Sequence, residues 1–110
     1  MKLIKIIKKT GDFDKVFKKG KTVYGKSLKI FYLPYKELKF GFSVSKKHGK
    51  AVIRNRIKRL LRAAARSAFK DFDKEFLIVF LPRVQEKYSF SDYLKDMERI
   101  RKGFSDGDNK

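Results

Sequence analysis

The chain has 110 residues, with 30 Lys+Arg against 12 Asp+Glu, a net charge of +18, 42% hydrophobic and 15% aromatic content, and no cysteine. That fits one compact domain and excludes a disulfide scaffold, a Cys-ligated zinc site, an iron–sulfur cluster and a thiol nucleophile, while a lone histidine, His48, excludes a multi-histidine metal site. Self-repulsion on this scale destabilises a small fold, so a polyanionic partner is expected: nucleic acid first, a membrane surface a distant second.

Met1 to Thr10 is basic and apolar, but Lys5 splits Leu3 and Ile4 from Ile6 and Ile7, and no small-residue cleavage site follows. It does not read as a signal peptide, so a cytoplasmic, reducing location is expected. Asp12 is placed to cap a short helix with Phe13, Val16 and Phe17 on one face and Gly20 as its stop. So short a helix must dock to be stable. Two strands are then predicted. Leu28, Ile30 and Tyr32 alternate with Lys29, Phe31 and Leu33; Leu38, Phe40, Phe42 and Val44 alternate with Lys39, Gly41, Ser43 and Ser45. Pro34 to Glu37 is short enough to make them a hairpin. In the second strand Phe40, Phe42 and Val44 demand burial, whereas Gly41, Ser43 and Ser45 form a small-residue face that a ligand can approach.

Ala51 to Lys70 carries the clearest helical pattern, with Ile53, Ile57, Leu60, Leu61, Ala64, Ala68 and Phe69 in one apolar stripe. Phe76 to Leu81 reads as a fully buried central strand, too short to span a bilayer. A last helix runs from Ser91 to Lys102, with Tyr93, Leu94, Met97 and Ile100 inward and Gly103 ending it. Residues 1–104 then form one domain, and Ser105 to Lys110 a flexible tail. The order α, β, β, α, β, α predicts a single-domain α+β sandwich, with helices packed on a small, mainly antiparallel sheet.

Ten basic residues and no acid fall between Lys46 and Lys70. Arg54, Lys58, Arg62 and Arg66 recur every four residues and share a helix face, beside Asn55 and Arg59. Like charges so aligned repel, and phosphates would offset that cost. Arginine predominates, as suits forked recognition of phosphate.

The run from Gly41 to Arg62, Gly-Phe-Ser-Val-Ser-Lys-Lys-His-Gly-Lys-Ala-Val-Ile-Arg-Asn-Arg-Ile-Lys-Arg-Leu-Leu-Arg, closely resembles the signature of the bacterial ribonuclease P protein subunit, whose core is the Arg-Asn-Arg at residues 54–56. Asp12 to Gly20 is similar to that family's first helix. The resemblance implies an accessory RNA-binding subunit. The catalyst is then a large RNA that removes the 5′ leader of precursor tRNA by endonucleolytic hydrolysis, using Mg2+ bound mainly by that RNA. It implies a left-handed crossover through the Arg-Asn-Arg helix, against the usual right-handed rule. It implies contacts from Arg54, Asn55, Arg56, Lys58, Arg59 and Arg62 to the catalytic RNA, in a row that Arg66 continues. It also implies a cleft between the first helix and the sheet that binds the single-stranded leader and broadens substrate use. Single strands are bound by aromatic platforms and basic grooves, so Phe13, Phe17, Phe31, Ser43, Ser45, Lys46 and Lys47 are the leader-binding candidates. Register decides whether Phe31 or Tyr32 faces the leader. The start of the chain lacks the arginine-dense segment common in that family.

A self-contained nuclease is the competing class. Asp12/Asp14, Asp71/Asp73 and Asp106/Asp108 are spaced like metal carboxylates, yet residues two apart do not share a helix face and point together only on a strand; capping and charge balance explain them better. His48 has no carboxylate nearby and suits a loop or phosphate contact better than a general base. No catalytic residue, protein-held metal, membrane contact or protein partner is expected. A ribosomal protein or a DNA-binding helix module would explain the charge but not the Arg-Asn-Arg signature joined to Phe13 and Phe17.

Overall fold

Phe76 to Pro82 is apolar at every position, and such a strand needs both edges paired and both faces covered. The rest of the fold meets that requirement. The computed structural model describes residues 5–107. In chain order they form α1 (Thr10–Lys19), β1 (Lys21–Tyr24), β2 (Leu28–Pro34), β3 (Lys39–Phe42), a 3-10 turn (Lys46–His48), α2 (Ala51–Ala68), β4 (Phe76–Pro82) and α3 (Phe90–Gly107). The sheet order is β1-β2-β4-β3. β4 pairs antiparallel with β2 and parallel with β3, so α2 is the crossover between two parallel neighbours.

Two expectations are corrected here. β2 and β3 are not a hairpin, because the more apolar β4 lies between them; the turn after Pro34 carries the chain past β4, with the Tyr35 amide donating to the Glu75 carbonyl at 3.1 Å. β2 instead forms its hairpin with β1, a strand that the sequence pattern did not reveal. β3 also stops at Phe42, so Ser43 and Ser45 lie beyond its end.

Each sheet face has its own core. On one, Leu28, Ile30, Tyr32, Phe40, Ile78 and Phe80 pack under Ile57, Leu61, Ala64 and Ala68 of α2 and Tyr93, Met97 and Ile100 of α3. On the other, Leu77 and Val79 pack under Ile7 and the wholly buried Val16 of α1, with Phe13, Phe31 and Leu33 around them. Register separates Phe31 from Tyr32: Phe31 lies opposite Val79 on the α1 face, while Tyr32 lies opposite Ile78 and meets the Phe76 ring edge-on at 5.7 Å. The segment before α1 covers the outer edge of β3, where Ile7 N–H donates to Phe40 O and Phe40 N–H to Lys5 O, both at 2.8 Å.

The helix ends differ in detail from the sequence expectation. α1 begins at Thr10 behind Lys9, so Asp12 is no cap; it is buried in the first turn, where the helix dipole favours a carboxylate. Gly20 does end α1, and a Cβ there would lie 2.4 Å from Val16 O and 2.7 Å from Tyr32 O. α2 closes at Ala68, where Arg101 donates to the carbonyls of Ala68 (2.8 Å) and Lys70 (2.7 Å). Gly103 does not end α3, which continues to Gly107, into the stretch expected to be a tail; residues 108–110 of that stretch lie outside the described residues.

Candidate nucleic-acid interface

α2 buries Ile57, Leu61, Ala64, Ala65 and Ala68, and this stripe fixes what the remainder of the helix shows. Asn55, Arg56, Lys58, Arg59, Arg62 and Arg66 are all exposed, and Arg54 is half-buried with its Nε enclosed and without a hydrogen-bond partner. Ile53, expected in the apolar stripe, stands 40% exposed. Among the described residues, ion pairs form at Glu37 and Asp96 and none at these α2 side chains. Among the described residues the row's charge repulsion is therefore left uncompensated. Arg62 lies over the Phe42 ring, 6.0 Å from its centroid, which carries the basic row to the β3 edge of the sheet.

Between that edge and α2 the chain turns through Lys46–His48. Gly49 has φ +123°, a conformation that favours glycine, and it sets the entry into α2. Lys46 and Lys47 are exposed, while His48 is buried, with Nδ1 2.8 Å from the Tyr88 hydroxyl. Burial, and then Lys47, hold the His48 pKa below the ordinary histidine value, against a hydrogen bond to the Pro82 carbonyl that raises it. His48 thus links this turn to Tyr88, in the segment after β4.

On the α1 face the aromatic candidates separate. Phe13 is half-buried, its ring pressed on Gly41: a Cβ there would lie 2.6 Å from Phe13 Cε1 and 3.1 Å from Ile7 Cδ1. The small-residue face is therefore filled at Gly41, by the chain itself. Phe17 is 39% exposed and stands edge-on to Phe31, centroids 5.0 Å apart and planes at 86°; Phe13 follows at 6.5 Å from Phe17. Past Phe31 the sheet face opens into a groove of about 490 Å³, lined by Lys29, Ser43, Ser45, Lys47, His48, Leu81, Pro82, Arg83 and Val84. Ser43, Ser45 and Lys47 are thus gathered along one groove, and Lys46 sits on the turn beside it. Lys29, Leu81 and Arg83 are groove residues that sequence reasoning missed. The signal for β1 was present in Thr22-Val23-Tyr24, a β-favouring run halted at Gly25.

The carboxylates do not converge. Among the described residues no three His, Cys, Asp or Glu side chains gather as a metal site, and Asp12 is buried while Asp14 is exposed. No helix of the described residues is long and apolar enough to cross a membrane.

Residues 1–104 match the family described as Ribonuclease P. The ribonuclease P protein component of Clostridioides difficile is 41% identical over 100 residues, covering 87% of this chain and 88% of that protein. That of Caldanaerobacter subterraneus subsp. tengcongensis is 38% identical over 98 residues, covering 87% and 83%. In structure, the RNase P protein of Staphylococcus aureus superposes with a TM-score of 0.77 at 30% identity, over 91% of this chain and 94% of that one. The RNase P protein from Thermotoga maritima gives 0.76 at 25% identity, over 87% and 94%.

Proposed function

The chain belongs to the ribonuclease P protein family, and from that premise we propose how its two charged surfaces divide the work. As the protein component it acts in tRNA 5′ maturation, as a subunit of ribonuclease P working with the RNA subunit. In our reading the α2 surface, Arg54, Asn55, Arg56, Lys58, Arg59, Arg62 and Arg66, docks on the catalytic RNA. Each phosphate it neutralises releases counterions, which draws the two together and relieves the repulsion along the helix. The α1 face takes the single-stranded leader of precursor tRNA: Phe17 and Phe31 offer ring faces and edges to bases, and Lys47, Ser43 and Ser45 line the path of the backbone.

The observation that carries this reading is the exposed Phe17 against Phe31, at the head of a basic groove, on the sheet face opposite α2. Among the described residues no three acidic, histidine or cysteine side chains gather as a metal site. Mg2+ belongs, in this reading, to the RNA, and no step of the chemistry is routed through this chain; what the chain contributes is assembly and substrate capture. A cytoplasmic location is part of the same proposal.

The test is 5′ processing of a precursor tRNA at low magnesium with protein alone, RNA subunit alone and both. The expected result is efficient cutting by the mixture only. Cutting by the protein alone would restore the nuclease reading, and no gain over the RNA would leave an RNA-docking protein of another kind.

A further inference from the structure

The segment before α1 and the start of β3 enclose a shallow groove of about 530 Å³, lined by Lys5, Ile6, Lys8, Lys9, Glu37 and Lys39. Four lysines face one carboxylate there. Glu37 is shared between Lys5 Nζ at 3.1 Å and Lys39 Nζ at 3.7 Å, while Lys8 and Lys9 are exposed and meet no carboxylate among the described residues. The backbone beneath them is tied down: Ile7 is buried, its N–H donates to Phe40 O, and Phe40 N–H donates to Lys5 O. The lysines thus project from a segment joined to the sheet, not from a loose arm.

Their places are also poor ones for a helix. Lys9 is the N-cap of α1 and makes no side-chain cap bond, where Ser, Thr, Asp or Asn is preferred, and the helix dipole repels the charges of Lys8 and Lys9. Asp12, the acid of the first turn, is buried and does not line the groove. Local stability does not account for two lysines here, and a local rule broken without local gain marks a place where function offsets the cost.

The chemistry of the groove selects the occupant. Its lining holds no aromatic ring and so no platform for an unstacked base, and lysine takes a phosphate as a point charge. The phosphate backbone of a folded RNA fits it. Position says which RNA. The Phe40 ring meets Phe69 at the end of α2, at 5.4 Å, and Arg62 lies 6.0 Å from the Phe42 ring centroid, so α2 lies over β3. The segment of Lys5, Ile6 and Ile7 runs along the outer edge of the same strand, so the groove and the α2 row border one edge of the sheet. The groove of Ser43 and Lys47 lies at the other end of β4: Lys39 pairs with Leu77, whereas that groove begins at Leu81, about 13 Å further along the strand.

We propose that Lys5, Lys8, Lys9 and Lys39 form a second docking patch for the phosphate backbone of the RNA subunit, which carries the α2 interface around the β3 edge. This rests on the reading of α2 as the RNA-docking surface. The patch serves assembly and has no part in capture of the leader.

The test titrates the RNA subunit with the full chain across a range of salt. Lys8→Ala/Lys9→Ala should reduce the slope of log K against log salt by about 1.4–1.8, at about 0.7–0.9 for each of two contacts. Lys8→Arg/Lys9→Arg should keep the parent's slope. The alanine pair should unfold in urea no more readily than the parent, since it removes charge that opposes the α1 dipole. An unchanged slope in the alanine pair, or an equal fall in the arginine pair, overturns the patch. Precursor affinity, measured with the protein saturating the RNA subunit, should stay at the parent's value; a loss there with an unchanged assembly slope would make precursor tRNA the occupant and overturn the proposal. Arg56→Ala/Arg62→Ala separates the two levels of the reading. If it lowers the slope and the lysine pair does not, only the patch falls; if neither does, the α2 surface falls with it.

Discussion

The Asp96 carboxylate on α3 accepts two hydrogen bonds from Ser27 in the β1–β2 turn, from its N–H at 2.7 Å and its hydroxyl at 2.6 Å, and both residues are buried. The pair pins α3 to that turn. The same carboxylate crowds Gly25, where a Cβ would lie 2.9 Å from Oδ2. Asp96→Ala leaves the Ser27 amide buried without a partner, whereas the hydroxyl can turn to the Asp92 carbonyl at 3.4 Å. The expected cost is about 2–3 kcal/mol of unfolding free energy, read by urea denaturation. A change under about 0.5 kcal/mol, the scale of an ordinary surface substitution, would show that the pair does not hold the turn.

Phe13 and Gly41 are a matched pair of large and absent side chains. Gly41→Ala drives a methyl group into the Phe13 ring and should destabilise by about 1–3 kcal/mol. Phe13→Leu in the same chain should recover part of that loss, with a coupling of about 0.5 kcal/mol or more in the double-mutant cycle. Additive effects would mean that the ring moves aside freely and that Gly41 is small for another reason.

Much of this was legible in the sequence because the signals were local and strong. The α2 stripe, the apolar β4 and the Phe13/Val16/Phe17 face each follow from side-chain period alone. What failed was decided by long-range competition. A short turn after Pro34 suggested a β2–β3 hairpin, but a strand as apolar as β4 is stable only between two others, and it displaced that pairing. Gly41 looked like an opening because a sequence does not show that a ring from α1 fills it. β1 escaped because its four residues are exposed or half-buried, which leaves no alternation to see. The α2 candidates were legible by contrast, since a row of arginines without acids needs no tertiary contact to be noticed.

His48 gives stability a sign with pH. Burial holds its pKa below the ordinary value of 6.5, so between the two values the unfolded chain binds the proton and the folded one does not. Its contribution is complete above about pH 6.5 and is lost as the pH falls below that, levelling off under the folded value. Urea midpoints should therefore drop between pH 8 and pH 5.5 in the parent chain, and stay nearly level in His48→Gln. His48 Nδ1 also lies 2.8 Å from the Tyr88 hydroxyl. Tyr88→Phe removes that partner and should lower stability by about 0.5–1.5 kcal/mol, read in the same urea titrations. A parent midpoint that does not move would show that His48 titrates as in water.

The α2 row can be read through salt. Arg62 and Arg66 are exposed and have no acidic partner among the described residues, so removing either charge breaks no ion pair and eases repulsion from Lys58 and its neighbours. Arg66→Ala should leave the unfolding free energy unchanged to within about 0.5 kcal/mol. Arg62→Ala should cost slightly more, because the guanidinium over Phe42 is lost with it. In assembly with the RNA subunit the order of importance inverts: each substitution should weaken binding, and reduce the slope of log K against log salt by about 0.7–0.9 for each phosphate contact removed. Titrations from about 0.05 to 0.2 M salt span enough of that line to resolve one contact. A slope that stays at the parent's value in both variants takes this end of α2 out of the RNA interface, and would move the interface toward Arg54, Asn55 and Arg56 at the other end.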